Sequence, residues 1–349
     1  MKRTAWIAVI ILLCVLCSGC DAWMSGEYLS VTPHEAQTAD YADRVIEVTS
    51  YTQLRNAVEN IVRTGSDNGI ISISAFNKGT IHFYVDTAIS NVIENTAFGS
   101  YAVEKITYEI GTNRGVSVVA CKVHYRPGYR HPSQIRQITD AQQLSEAVIE
   151  ALEGLDKSLL IYMEQYEKLD IEQLVRDYAA QYPERIVEYP EVTVHVYPEK
   201  GAERIVEIAF GYQTDQVVLQ QMRSKVAESL SGAEGCVRGL TDATEIYGQL
   251  FSYLTENYRY TSNTSQMPLY QVLVKGEGNE QALSEVYQLL CARVAKGCKT
   301  ITGTKDGKPW TWNAVQIRGR YYEVDLLQCL NDGVFSLLTD EQLSAYQAS

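Results

Sequence analysis

After His195 the chain contains no histidine; the five imidazoles are His34, His82, His124, His131 and His195. The C-terminal part therefore lacks both the commonest general base and the commonest metal ligand. Close cysteine pairs occur only among Cys14, Cys17 and Cys20. The remaining five, Cys121, Cys236, Cys291, Cys298 and Cys329, are odd in number and form no C-x-x-C pair. That pattern argues against a metal site and against a disulfide framework, so neither metal nor cofactor is expected. Small buried hydrophobes are the reading of these thiols, with one disulfide left open. Basic residues are also in deficit, 30 Lys and Arg against 43 Asp and Glu, a formal charge of −13. Such a surface disfavours nucleic acid as a partner. Long apolar runs are absent outside residues 5–17, which are too few to span a bilayer comfortably.

That apolar run follows Met1-Lys2-Arg3 and closes on Leu16-Cys17-Ser18-Gly19-Cys20. A basic start and a short apolar stretch read as a secretory signal. The closing residues resemble a bacterial lipobox, with Cys17 where Leu is usual. The resemblance implies that residues 1–19 are removed and that Cys20 is lipidated. Loss of Lys2 and Arg3 moves the formal charge to −15. The expected place is the cell membrane, lipid-anchored on its extracytoplasmic face, with the lipid as the membrane contact. Residues 20–44, with Gly26, Pro33 and no sustained periodicity, read as a tether.

The mature length of ~330 residues suits two or three domains at ~100–200 residues each. From Val45 a pattern begins that returns about ninety residues later. Residues 48–58, VTSYTQLRNAV, align with residues 138–148, ITDAQQLSEAV, and Ser50 and Asp140 are the expected helix N-caps. Each copy continues with a strand (69–75; 158–163), a second helix (88–97; 171–181) and a hairpin (106–110 with 116–125; 192–197 with 205–212). Two βαβαββ units of α+β class are expected, residues 45–130 and 131–215. They are joined by the basic, aromatic connector YRPGYRHP of residues 125–132, read as an interdomain linker.

Residues 216–349 form the third domain. Helices are expected over 219–230 and 241–258, the second with Ile246, Leu250, Leu254 and Tyr258 on one stripe. Gly276-Glu277-Gly278-Asn279 then reads as a turn ending in an N-cap. Ala282, Val286, Leu289, Leu290 and Val294 recur at helical spacing, which predicts a helix over about 280–295. Beyond it, three β-rich runs (300–302, 312–317, 321–324) are divided by Asp306-Gly307 and Arg318-Gly319, so one helix feeds an antiparallel meander.

Several short signals of this stretch resemble the transglutaminase-like superfamily, cysteine-nucleophile enzymes with a papain-like packing of helix against sheet. They are Tyr270, Leu273, Val274, Gly276 and Gly278; Cys298 after the helix; Trp312-Asn313; Tyr322 with Val324-Asp325; and Val334-Phe335 with Thr339-Asp340-Glu341. In the same register Glu280 stands where the family has its nucleophilic Cys and Trp310 where it has its His. Asp325 alone matches the triad. A thiolate at a helix N-terminus needs an imidazole held by a carboxylate, and a carboxylate in its place performs no acyl transfer. The resemblance thus implies a degenerate member that lacks the catalytic Cys and His.

If the old cleft persists, its groove should be walled by Glu280, Trp310, Trp312, Asn313, Tyr322 and Asp325. Three functions remain open at this stage. One is a surface lipoprotein that binds or scaffolds an envelope protein or cell-wall component. The second is a hydrolase or transferase with relocated catalytic residues, using Cys291, Cys298 or Cys329 as nucleophile or Glu280 with Asp325 as a carboxylate pair. The third is an accessory subunit that binds through residues 45–215.

Overall fold

The computed structural model describes residues 45–263, 265 and 267–349. The expected signal segment, Cys20 and the tether lie outside the described residues. Among those described, no helix is long and apolar enough to cross a membrane. The architecture is mixed α and β, with three four-stranded sheets and a two-stranded one.

The first sheet is built from β1 (Val45–Glu47), β2 (Asn68–Ser72), β3 (Val103–Asn113) and β4 (Val116–Tyr125), in the order β1-β2-β4-β3. Its first pair is parallel and the others antiparallel. Three helices serve it: α1 (Tyr51–Arg63), α2 (Ile81–Asn95) and α3 (Ala97–Ala102). The second sheet has β5 (Arg136–Ile138), β6 (Ser158–Met163), β7 (Glu191–Tyr197) and β8 (Arg204–Gly211), in the order β5-β6-β8-β7, again parallel then antiparallel. Its helices are α4 (Ala141–Gly154) and α5 (Ile171–Gln181).

Helices α1 and α4 start in the same way. Ser50 accepts from the Gln53 amide at 3.3 Å and Asp140 from the Gln143 amide at 2.9 Å. Each glutamine side chain reaches back to the backbone N–H before the cap, Thr49 in one case and Thr139 in the other. Both helices then bury residues at helical spacing, Leu54, Ala57, Val58, Ile61 and Val62 against Leu144, Ala147, Val148, Ala151 and Leu152.

The units differ after the second helix. The helix expected over 88–97 runs from Ile81 to Asn95, and a further helix, α3, follows it. Thr96 adopts an extended conformation between them and caps α3, its Oγ1 accepting from the Gly99 amide at 3.1 Å. A Cβ at Gly99 would lie 1.9 Å from the Val92 carbonyl oxygen, so only glycine allows this close return. Phe98 of α3 stacks on Tyr162 of β6 at 5.2 Å, and Tyr101 meets Tyr197 edge-on. Strand β6 is thereby covered on both faces. Leu160 and Tyr162 join the first unit's core, whereas Ile161 and Met163 pack under α4 and α5. The unbroken apolar run Leu159-Leu160-Ile161-Tyr162-Met163 follows from that double burial. The connector is held as well, with Tyr125 stacked on Tyr129 at 4.4 Å and the Arg130 guanidinium 2.8 Å from the Ser158 hydroxyl.

The last core gathers α6 (Gln216–Cys236), α7 (Ala243–Thr255) and α8 (Glu280–Arg293) against a sheet. That sheet contains β11 (Cys298–Lys305), β12 (Lys308–Ile317), β13 (Arg320–Val324) and β14 (Tyr346–Ala348), in the order β13-β12-β11-β14. The short strands β9 (Arg259–Tyr260) and β10 (Glu277–Gly278) pair in parallel just before α8. The expected turns are tight: Asp306 and Gly307 have φ of 52° and 74°, Arg318 and Gly319 of 51° and 80°. Both central residues are left-handed, as two-residue hairpins with the natural strand twist require. Two short helices follow, α9 (Leu326–Asp332) and α10 (Asp340–Leu343), before β14 pairs its last residues with Gly303–Lys305.

Candidate functional site

Helix α8 begins where the sequence predicts, with Asn279 Oδ1 accepting from the Ala282 amide at 2.9 Å. It lies along β12 with residue numbers rising together. The Ser284 carbonyl accepts from Asn313 Nδ2 at 3.0 Å, and the Tyr287 hydroxyl bonds the Tyr247 carbonyl at 2.8 Å. The N-terminal end of α8 therefore points toward the Trp310 end of the sheet.

At that end three side chains and one backbone amide meet on one carboxylate. Asp325 is 1% exposed and caps α9, its Oδ1 accepting from the Gln328 amide at 3.1 Å. Its Oδ2 accepts from Lys305 Nζ at 2.7 Å, the Tyr346 hydroxyl at 2.8 Å and Trp310 Nε1 at 2.9 Å. The Lys305 ammonium also lies over two rings, 5.3 Å from the Trp310 centroid and 5.0 Å from that of Tyr346. Burial pushes the Asp325 carboxyl up, but the bonds from Lys305, the Gln328 amide and Tyr346 outweigh it and hold the group below the usual aspartate range. A raised value is one way a buried carboxyl becomes a general acid; at Asp325 the shift has the opposite sign. The same contacts push the Tyr346 phenol far up, through burial first and then the bond to Asp325.

Beside this cluster is a cavity of about 530 Å³ lined by Tyr260, Lys305, Trp310, Leu327, Gln328 and the C-terminal residues of α9, Leu330 to Asp332. Glu280, half-buried in the first turn of α8, hydrogen-bonds neither Trp310 nor Asp325; its partner is the Tyr260 hydroxyl at 3.4 Å. Tyr260 thus links the start of α8 to the cavity wall. Of the sequence-derived groove, Trp310 lines the cavity, Asp325 bonds Trp310 from behind it, and Glu280 is joined to its wall only through Tyr260.

The other three groove residues are placed elsewhere. Trp312 is 1% exposed, its indole N–H donating to Glu323 at 2.6 Å and its ring packed edge-on against Tyr346. Asn313 is fully buried between α8 and β11 and binds Ser284, Lys299 and Thr300. Both are interior because β12 is a central strand covered on its two faces. Tyr322 lines a separate cavity with Asp242, Thr244, Ile317, Arg318 and Arg320, at the opposite end of β12 from Trp310. The groove therefore excludes Trp312, Asn313 and Tyr322.

Lys305, Tyr346, Gln328 and Tyr260 belong to the site and were missed. Lys305 precedes a turn and Tyr346 is three residues from the end of the chain, so neither carries a local pattern. Only the pairing of β14 with β11 brings them to Asp325.

The three thiols considered as relocated nucleophiles are Cys291, Cys298 and Cys329. Cys291 and Cys329 are buried, and burial pushes both thiols up, away from the reactive thiolate. The described histidines are distant in the chain and have other neighbours: His82 bonds Tyr108, His124 meets Thr107, His131 caps a turn at Ser133 and His195 lies beside Tyr197. Among the described residues no group of three or more His, Cys, Asp or Glu could hold a metal ion.

No family model matches the chain, and no curated protein matches it. Solved structures similar to parts of it include a TGase, at 8% identity and TM-score 0.28 over 65% of this chain and 66% of that one. A proposed cysteine protease from Cytophaga hutchinsonii is similar at 11% identity and TM-score 0.27, over 46% of this chain and 71% of that one. A proposed protease from Parabacteroides distasonis has 7% identity and TM-score 0.24, over 73% of this chain and 39% of that one. The chain thus spans about two thirds of the length of the first of these structures and well under half of the third.

Proposed function

We propose that residues 216–349 are a transglutaminase-like domain retained as a binding or scaffolding module, tethered through Cys20 to the extracytoplasmic face of a cell membrane. Its partner is an envelope protein or a cell-wall component, and it binds beside Trp310. The observation that carries this reading is the 2.9 Å bond from the Trp310 indole to Asp325. In the family's triad the carboxylate holds an imidazole; here it holds an indole, which orients equally well but neither takes nor gives a proton at neutral pH.

Further support comes from the cavity wall. The rings of Trp310 and Tyr260, the amides of Gln328 and Asn331, the apolar Leu327 and Leu330 and the charged Lys305 and Asp332 surround one space. Aromatic and amide groups of that kind orient a neutral polar ligand without reacting with it. Glu280, at the helix start, bonds the Tyr260 phenol at 3.4 Å rather than Asp325. The matching strand orders and matching caps of residues 45–130 and 131–215 support a duplicated α+β unit that presents this module away from the tether.

The test is photo-crosslinking in intact cells, with a photoreactive residue at Asn331 or, separately, at Tyr129. Capture of one envelope component from Asn331 alone is expected. Capture from Tyr129 alone would move the function to the duplicated units. Fast labelling of Cys298 by a thiol-reactive substrate analogue, with turnover, would restore the enzyme reading.

A further inference from the structure

At the other end of α8 the chain reverses sharply. The Lys296 amide donates to the Cys291 carbonyl at 2.9 Å and the Ala295 amide to the Ala292 carbonyl at 3.0 Å, while Ala295 is left-handed with φ of 55°. This pair of bonds with a left-handed residue between them is a Schellman ending. It folds residues 296–298 back over the last turn of the helix. The Gly297 carbonyl is then fixed by the Gln316 amide at 2.7 Å and the Tyr247 hydroxyl at 2.8 Å. Cys298, the first residue of β11, is thereby returned over the last turn of α8, and it packs against the core cluster that contains Cys291. Both are free.

We propose that Cys291 and Cys298 are a reversible oxidation site, closing to an intramolecular disulfide when a small-molecule disulfide is present. The geometry gives the two sulfurs different roles. Cys298 is half-buried and is the more exposed of the two; Cys291 is 0% exposed, in the core. The Cys298 thiolate attacks one sulfur of oxidised glutathione, breaking its S–S bond and expelling one glutathione thiolate. Cys291 then loses its proton to solvent and its sulfur attacks Cys298 Sγ, expelling the second glutathione. Two protein thiols are oxidised by two electrons, and one external disulfide is reduced to two thiols.

The second step is the slow one. Burial, first, and the neighbouring Cys298 push the Cys291 thiol up. The mixed disulfide should therefore accumulate, and closure should quicken as pH rises. Closure ties the end of α8 to β11 and leaves the Asp325 cluster, at the other end of the helix, untouched. The site is independent of the binding reading above, although an exported chain would meet such oxidants.

The experiment is incubation of the full chain with oxidised glutathione, followed by peptide mapping without reductant. A peptide pair joined between Cys291 and Cys298 is expected, with a transient glutathione adduct at Cys298 that disappears faster at higher pH. In Cys291→Ser the adduct at Cys298 should persist, and in Cys298→Ser neither adduct nor bridge should form. An adduct at Cys298 in the unsubstituted chain that is never displaced would overturn the proposal. So would a bridge from Cys298 to Cys236 or Cys329. The mapping of the unsubstituted chain needs no variant to fold.

Discussion

The two ends of helix α8 are built on opposite principles. At its start, every donor around Asp325 converges on one carboxylate that is fully engaged. At its close, two free thiols share one core, and the two N–H donors of Asn313 beneath the helix are shared among four acceptors while its Oδ1 has no partner among the described residues. A cluster whose polar groups are all paired is rigid and holds a shape; one with groups left over retains chemistry. On the proposed reading, the Trp310 end recognises and the Cys298 end reacts.

The comparison breaks most visibly at Asp325. Replacing it by alanine strands the Lys305 ammonium, the Trp310 indole and the Tyr346 hydroxyl together, a loss of about 3–5 kcal/mol for a buried pair deprived of one partner. Urea denaturation followed by circular dichroism measures it. A loss below that of a single neutral hydrogen bond would mean that the cluster is not the anchor described. Asn313→Ala should cost less, about 1–3 kcal/mol, because it deletes donors while also removing the unpartnered Oδ1. If Asn313→Ala costs more than Asp325→Ala in the same assay, the two ends have been assigned the wrong way round.

Acid sharpens the contrast. The Asp325 carboxyl is held below its ordinary value, so its contribution is present above the unfolded aspartate value and is lost as pH falls through the lowered native one. Stability measured from about pH 6 down to about pH 2 should therefore decline steeply only below about pH 4, where the unfolded aspartate titrates. Asp325→Asn should flatten that decline, with the thiol end unaffected. The smallest effect is expected at Ala295, which carries a left-handed backbone where glycine is usual. Ala295→Gly should relieve about 1 kcal/mol, visible as a modest rise in Tm, and a fall would show that the reversal holds no strain.

What the sequence made legible was local. Asn279 as a cap, Asp306-Gly307 and Arg318-Gly319 as left-handed turns, and the paired caps at Ser50 and Asp140 each carry their signal within a few residues. Trp310 and Asp325 are brought together where β12 pairs with β13 and the chain turns into α9. What was not legible was convergence. Nothing near Tyr346 says that a three-residue strand will deliver its hydroxyl to a carboxylate twenty-one positions earlier in the chain. The burial of Trp312 and Asn313 was equally hidden, because a strand covered on both faces shows no alternation to distinguish inner from groove-facing side chains. Helix α3 escaped for a third reason: Thr96 both ends one helix and caps the next, and a continuous helical pattern conceals the break.

The central claim, that the Trp310 end recognises and does not react, is tested most directly by titrating the full chain with soluble peptidoglycan fragments. Tryptophan fluorescence would be followed and the recovered ligand weighed by mass spectrometry. The expected result is a saturable change, absent in Trp310→Ala, with every fragment recovered unaltered. Fragments recovered cleaved or joined to an amine, or a titration identical in Trp310→Ala, would contradict it.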